Sequence, residues 1–139
     1  MYNLPEHLQA RAMCSILADT DRHRFAIGTS SVPTATTLNE VHLVQYSEDA
    51  NRIDTDLAFG LHDETGDLHG YEVSQISSSP YNRGTLIVAV APTYNNAEGN
   101  KVVFYQVHEK EAGTILDPLL DEDEAKEDEP EDDAASGKI

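Results

Sequence analysis

The amino-acid sequence of 139 residues predicts an all-β domain of short antiparallel strands, followed by an acidic, disordered tail. Two runs rich in β-branched and aromatic residues give the strongest strand signals, VHLVQY at 41–46 and VVFYQV at 102–107. A third run, LIVAVA at 86–91, is apolar over the length of a buried strand and stops at Pro92. The order of these elements recurs along the chain, which favours a repeat architecture.

Weaker patterns fill the intervals between these strands. FAIGTS at 25–30 is predicted as a strand, and YEVSQI at 71–76 alternates apolar and polar residues. Residues 9–16 and 53–59 complete the predicted set. The segment 9–17 has an alternative, a short helix, because its Ala, Met, Leu and Gln residues favour one. Turn-forming residues separate the strands at 65–67, 79–84 and 95–100.

Equivalent positions of the repeated pattern are separated by nearly constant distances. Phe25 lies 61 positions before Leu86, and Leu43 lies 61 positions before Phe104. The first predicted strand recurs after 63 positions. Repeated units of short strands are typical of β-propeller blades, although this spacing exceeds the roughly 40–45 residues of a WD repeat. A β-sandwich is an alternative that accounts for the same strands.

An ordered set of short motifs resembles the N-terminal part of one known family. The set spans about residues 2–108, and its most specific members are QARA at 9–12 and NEVHL at 39–43. The chain resembles the EARP-and-GARP-complex-interacting proteins, which are WD-repeat β-propellers. This resemblance implies a partial WD40-like β-propeller of about one and three-quarter blades of antiparallel meander. The remaining motifs are ADTD at 18–21, Phe25 with Gly28-Thr29, His62 with Gly66-Asp67, and ISSSP at 76–80 followed by Arg83-Gly84.

The chain departs from the family pattern in the residues that stabilise a standard blade. It contains no Trp, and GDLH at 66–69 stands where the family has a Trp after a Gly-Glu pair. The WD dipeptide of the third strand is replaced by VQ at 44–45 and by YQ at 105–106. We therefore expect the blades to depend on apolar packing and strand ladders, without a Trp-anchored hydrogen-bond network.

The length of the predicted propeller also differs from that of the family, whose chains form a full closed ring. About three stacked repeats are usually needed to bury the faces of such units. We therefore expect either that the chain is a fragment of a full propeller or that a second chain supplies the missing blades. The predicted domains are residues 1–116, the partial propeller, and residues 117–139, the disordered acidic tail.

Charge and cysteine content exclude several classes of protein. The net charge is −17, and residues 117–139 contribute −9 through eleven acidic residues and two lysines. This acid excess argues against nucleic acid or an anionic membrane as a direct ligand. No apolar run is long enough to cross a membrane, and the N-terminus has no secretory or transit signal. Cys14 is alone and cannot form an internal disulfide, so a cytoplasmic protein is expected.

The segment HDETGDLH at 62–69 carries the strongest chemical motif. Its imidazoles and carboxylates are suitable ligands for zinc or a non-haem metal. The alternative is a polar connection between blades, in which His62 or His69 is the structural histidine that starts a blade. DTD at 19–21 and at 54–56 lack the Gly and Glu of a calcium loop, and no nucleophile elbow is present. We therefore predict no enzyme activity, no cofactor and no metal.

The predicted function is a non-enzymatic protein-interaction scaffold. The resemblance implies partners among the subunits of the EARP and GARP tethering complexes, in endosomal recycling and retrograde trafficking, at the periphery of the trans-Golgi network and endosomes. An alternative is an acidic-tailed β binding module or chaperone for basic client proteins. We expect neither nucleic-acid binding nor membrane insertion. Binding is expected on the loops 31–38, 62–70 and 93–100, with the candidate contact residues His62, Asp63, Glu64, Asp67, His69, Tyr94, Asn95 and Asn96.

Overall fold

A computed structural model describes residues 3–5, 7–18, 22–31, 38–82, 84–93, 99–110 and 113–119. Their regular structure is β-strand throughout, which confirms the predicted all-β class. Within these ranges, no helix is long and apolar enough to cross a membrane. The described strands are β1 (Gln9–Ser15), β2 (His23–Ser30), β3 (Glu40–Ser47), β4 (Arg52–Gly60), β5 (His62–Asp63), β6 (Gly66–Asp67), β7 (Tyr71–Ser78), β8 (Thr85–Pro92), β9 (Lys101–Lys110) and β10 (Gly113–Leu116).

Eight of these strands form two antiparallel meanders of four strands each. Sheet I has the order β1-β2-β3-β4, and sheet II has the order β10-β9-β8-β7. The short strands β5 and β6 pair as a hairpin in the connection between the two sheets. All seven strands predicted from the sequence are present, and the helical alternative for residues 9–17 is wrong. β10 was not predicted from the sequence, and it gives sheet II its fourth strand.

The two sheets share one pattern of strand pairing. Met13 of β1 pairs with Ile27 of β2, and Ile76 of β7 pairs with Val88 of β8, at offsets of 63 and 61 positions. β1 and β7 each contain a β-bulge, and the bulges lie 63 positions apart. A bulge inserts one unpaired residue and locally bends its strand. The recurring sequence pattern therefore corresponds to a recurring structural unit.

The sheets pack face to face, with β1 and β2 against β7 and with β10 against β4. Gly28 lies at the closest approach, because a Cβ atom there would stand 2.3 Å from Cγ1 of Val73. The side chains between the sheets are apolar, and their removal from water provides the main stabilisation of the fold. The largest contributors from sheet I are Val41 and Leu43, and those from sheet II are Val73, Leu86, Val88, Val90 and Tyr105.

Buried polar side chains join the two sheets at their ends. The Ser78 hydroxyl donates a hydrogen bond to the Ser15 carbonyl oxygen at 2.8 Å and accepts one from the Leu17 N–H at 3.0 Å. The Asn39 amide donates to the Tyr71 carbonyl oxygen at 2.7 Å. Since unpaired polar groups are costly in an apolar interior, these bonds define how the sheets are positioned relative to each other.

A buried arginine adds a charged link near one end of the sheet–sheet contact. Arg24 Nε lies 3.1 Å from a carboxylate oxygen of Asp56, and its Nη1 lies 3.6 Å from one of Glu109. Arg22 pairs with the same Glu109 carboxylate. Because Glu109 belongs to sheet II and the arginines precede or belong to β2, this network connects the two sheets.

The chain after β10 continues along sheet II. The Asp117 N–H donates to the Gln106 carbonyl oxygen at 2.7 Å, and the Asp117 carboxylate pairs with His108. Leu119 is partly buried against the core. Residues 120–139, which make up most of the predicted acidic tail, lie outside the described residues. The predicted domain boundary at residue 117 therefore stays a prediction.

Candidate protein-interaction surface

The acidic segment predicted as a site forms the β5–β6 hairpin. Its two ends are held by buried residues, since Leu61 and Leu68 both lie in the core and the Leu68 N–H donates to the Leu61 carbonyl oxygen at 2.9 Å. Gly66 has a φ of +127°, a conformation that L-residues with side chains rarely adopt. A tight turn on apolar anchors therefore presents residues 64–67 at the surface, while His62 and Asp63 are partly buried.

An aromatic cluster from both sheets supports the hairpin. Tyr105 of β9 is 1% exposed, and its ring centroid lies 4.8 Å from that of Phe59 and 5.1 Å from that of His62. The Tyr105 hydroxyl donates to the His62 carbonyl oxygen and accepts the His62 N–H. Burial, together with the nearby Asp63 carboxylate, raises the pKa of Tyr105 to about 12, so the phenol stays a hydrogen-bond donor at physiological pH.

The carboxylate of Asp63 is held by contacts within the hairpin and with β9. Its carboxylate accepts hydrogen bonds from both the N–H and the hydroxyl of Thr65, and it lies 3.5 Å from the Lys101 ammonium. Burial acts to raise the pKa of Asp63, but the Thr65 hydrogen bonds and Lys101 outweigh it and lower the pKa below its ordinary value. Asp63 is therefore a carboxylate at neutral pH, beside the exposed Glu64 and Asp67.

The imidazole and carboxylate groups of the hairpin do not converge on one point. His62 Nδ1 lies 2.9 Å from the Gly60 carbonyl oxygen, a position in which the Nδ1–H tautomer donates a hydrogen bond. His69 lies beyond the hairpin, in the exposed turn before β7. In the part of the chain that the structure describes, no three His, Cys, Asp or Glu side chains are grouped as metal ligands. The role of His62 here is structural.

Cys14 is the single thiol of the chain and lies in β1, facing sheet II. Burial raises the pKa of the Cys14 thiol above its ordinary value. A raised pKa leaves the thiol protonated at neutral pH, whereas a reactive cysteine needs the thiolate. Cys14 is therefore positioned as a packing residue.

The topology brings the described residues that flank the three predicted binding loops to the same end of the sheets. The Leu61 N–H donates to the Asn39 carbonyl oxygen, and the Thr93 N–H donates to the Gly70 carbonyl oxygen, both at 2.8 Å. These bonds connect the β2–β3 loop to the hairpin segment and the hairpin segment to the β8–β9 loop. Residues 32–37, and the predicted contact residues Tyr94, Asn95 and Asn96, lie outside the described residues.

A shallow cleft of about 640 Å³ adjoins the hairpin. Asp63 and Glu64 form one side, and the exposed Phe104 and Val102 of β9 form another. These β9 residues and Lys101 were not among the contact residues predicted from the sequence. The 61-residue offset was the available signal, because Val102 and Phe104 correspond to Val41 and Leu43, which sheet I uses to contact sheet II. Acidic and apolar groups therefore adjoin in one concave surface.

Two similar proteins carry the name EARP and GARP complex-interacting protein 1. The one from Macaca fascicularis is 34% identical to this chain over 95 residues, and the one from Homo sapiens is 33% identical over 95 residues. Each match covers 68% of this chain but only 21% of the relative, so it spans about one fifth of the relative's length. These values support a distant relationship. No protein-family model matches the chain. No solved structure matches it either.

Proposed function

We propose that the chain is a non-enzymatic protein-interaction module that associates with the EARP and GARP tethering complexes in endosomal recycling and retrograde trafficking. The observation that carries this proposal is the recurring four-stranded unit, found in a chain similar to proteins named for binding those complexes. Stacked antiparallel meanders of this kind are the units of β-propellers, which act mainly as rigid platforms for binding loops. The associated location is the periphery of endosomes and the trans-Golgi network.

The acidic hairpin and its cleft are the proposed contact surface. Glu64 and Asp67 place two exposed carboxylates on a hairpin that Leu61 and Leu68 anchor in the core, while Asp63, whose side chain is 9% exposed, holds the turn through Thr65 and Lys101. A rigid anchor reduces the ordering cost of binding, because the surface does not need to be ordered when the partner arrives. Acidic groups beside apolar side chains fit a partner segment that combines Lys or Arg with apolar residues.

The chemistry of the described residues also favours binding over catalysis. Tyr105 is held as a neutral phenol, the Cys14 thiol is kept protonated, and His62 is oriented towards a backbone carbonyl oxygen. A nucleophilic enzyme needs an activated nucleophile within hydrogen-bond reach of a base. The perturbed groups of this chain are instead engaged in packing and in holding the hairpin.

The test is a binding assay between the full chain and purified EARP and GARP complexes. We expect the double variant Glu64→Gln, Asp67→Asn to lose most of the binding. A matched control removes the same number of charges from the exposed β3–β4 turn, with Glu48→Gln and Asp49→Asn. The control should bind as the unchanged chain does.

Two results would contradict this proposal. If the unchanged chain binds neither complex, the association itself is wrong. If both double variants lose binding equally, general negative charge and not the hairpin provides the contact. Deletion of residues 120–139 distinguishes the alternative function, since a tail-dependent chaperone would lose salt-sensitive binding to basic proteins, whereas the proposed module would keep its binding to the complexes.

A further inference from the structure

The two sheets expose complementary faces, and each face has a buried counterpart inside the same molecule. In sheet I the buried face includes Ala26 and Leu43, which pair directly with each other across β2 and β3. Their equivalents 61 positions later are Ile87 and Phe104, which also pair directly but face away from sheet I. Phe104 is 61% exposed. The face of sheet II that is equivalent to the buried face of sheet I therefore lies on the outside of the molecule.

The reverse relationship holds for the other pair of faces. Ile76 and Val88 of sheet II pair with each other and are buried against sheet I. Their equivalents, Met13 and Ile27, pair with each other on the outer face of sheet I. There Met13 is 67% exposed and Ile27 is partly buried, while His42 of β3, the next residue in the same row, is buried, so the open part of this face lies along β1 and β2. A sandwich related by a two-fold axis would bury the same face of both sheets. The two sheets are instead stacked front to back, and such an arrangement can continue beyond two sheets.

We propose that the outer face of sheet II binds the outer face of sheet I of a second copy of this chain. The outer face of sheet II is equivalent to the inner face of sheet I, and the outer face of sheet I is equivalent to the inner face of sheet II. Because the two inner faces bind each other in the core, the two outer faces of different copies are expected to bind in the same way. The outer face of sheet II presents Phe104, Val102, Ile87 and Ala89, the last two partly buried. An exposed apolar surface of this kind is typical of an interface. Phe104 and Val102 also line the cleft of the proposed contact surface, so the two contacts would compete, but neither proposal requires the other.

Polar groups of the internal contact also have equivalents on the outer faces. Within the chain, the Ser78 hydroxyl donates to the Ser15 carbonyl oxygen. The residue of sheet I that is equivalent to Ser78, 63 positions earlier, is Ser15 itself, and it is exposed. Between copies, the Ser15 hydroxyl of one would donate to the Ser78 carbonyl oxygen of the other. Asn39, which donates to the Tyr71 carbonyl oxygen, has the exposed Asn100 as its equivalent.

One internal hydrogen bond cannot be reproduced between copies. Leu17 donates its N–H to the Ser78 hydroxyl, but the residue 63 positions later is Pro80, which has no N–H. The net charge of −17 also makes two copies repel each other. We therefore expect an association weaker than the internal contact, and one that strengthens as salt screens the repulsion.

The first measurement is sedimentation velocity of the full chain over a range of protein and salt concentrations. We expect the mass to rise above that of the monomer with increasing protein concentration, and to rise further at higher salt. A front-to-back contact generates either a closed ring or an open stack, so species larger than a dimer are expected. A chain that stays monomeric into the millimolar range at high salt would overturn the proposal.

Two single variants then test the direction of the contact. Phe104→Glu blocks the outer face of sheet II, and Met13→Glu blocks the outer face of sheet I. Each variant alone should stay monomeric, whereas an equimolar mixture should form a dimer and nothing larger, because each copy keeps one intact face. Tyr81→Glu, at a fully exposed turn position, is the matched control and should assemble as the unchanged chain does.

The single variants and their equimolar mixture distinguish this contact from other forms of association. If Met13→Glu alone still forms dimers, two sheet II faces meet each other and the front-to-back arrangement is wrong. If Tyr81→Glu also abolishes assembly, the added charge and not the altered face is responsible. Because the substituted side chains are exposed, far-UV circular dichroism and thermal unfolding should show each variant folded as before. If neither single variant reduces assembly, the faces named here do not form the contact.

Discussion

Tyr105 of sheet II holds the backbone of His62, donating its hydroxyl hydrogen to the carbonyl oxygen and accepting the N–H of the same residue. A single buried side chain thus satisfies both backbone groups at the start of the acidic hairpin. His62 and Tyr105 are 43 positions apart in sequence. These hydrogen bonds therefore connect the candidate binding surface directly to the second sheet.

Replacing Tyr105 by Phe tests this fastening. The substitution keeps the packing against Phe59 but leaves the His62 backbone groups without their partner. We expect a loss of about 1–3 kcal/mol in the free energy of unfolding, because buried groups left unpaired cost that much. Urea unfolding measures the loss, and hydrogen exchange should show faster opening of residues 61–68. Tyr46→Phe removes an exposed hydrogen bond to Asn51 and should change stability far less.

Gly28→Ala tests the close approach of the two sheets. The added methyl group would stand 2.3 Å from Cγ1 of Val73, so one of the two strands has to move. Overpacking of this kind typically costs about 1–3 kcal/mol of stability. Thermal or urea unfolding gives the value. The double variant Gly28→Ala, Val73→Ala should recover part of the loss, and strictly additive effects would contradict direct contact between these positions.

Asn39→Asp tests the buried amide between the sheets. The Asn39 side chain donates to the Tyr71 carbonyl oxygen and accepts from the Thr29 hydroxyl. A carboxylate cannot donate, and its negative charge would face the Tyr71 carbonyl oxygen, whereas the protonated acid can donate. The introduced acid should therefore have a raised pKa, which makes the variant least stable above that pKa. Unfolding in urea at several pH values should show the deficit shrinking as the pH falls, and a pH-independent deficit would contradict the role of the donor.

The lowered pKa of Asp63 predicts that this residue stabilises the fold less as the solution becomes more acidic. Its pKa in the folded protein is lowered, so its stabilising effect is complete above the unfolded pKa of about 3.9 and is lost as the pH falls through the folded value. The difference in unfolding free energy between the unchanged chain and Asp63→Asn should therefore be largest above about pH 5 and should decline in acid. Asp49→Asn, at an exposed turn position, provides the comparison. If the unfolding free energies of both variants depend on pH in the same way, the lowered pKa of Asp63 is contradicted.

Strand positions were predictable because their signals are local. LIVAVA at 86–91 and VVFYQV at 102–107 show the residue types and the length of strands, and they correspond to β8 and β9. β10 was missed because its four residues, GTIL, are too short for a clear alternation and precede a strongly acidic segment. The offset of 61–63 residues was also readable, and the pairing register follows it in both sheets.

The supports of the candidate surface were not predictable in the same way. The hairpin at 62–67 is recognisable by its Gly and acidic residues, but its partners Tyr105 and Lys101 come from a strand about 40 positions later. Nothing local marks Tyr105 as a hydrogen-bond donor to His62, since in sequence it simply follows another aromatic residue of β9, Phe104. Long-range partners of this kind are determined only when the sheets pack.

By itself, the sequence determined the strand class, the order of the strands and the repeat, because alternation, β-branched residues and turn residues act over a few neighbouring positions. Only the tertiary structure decided which face of each sheet is buried. Leu86, Ile87, Val88 and Ala89 are all apolar, so the sequence marks both faces of β8 as equally suitable for the core. The front-to-back stacking buries Leu86 and Val88 while it leaves Ile87 and Ala89 on the outer face, because sheet I covers one side of sheet II alone.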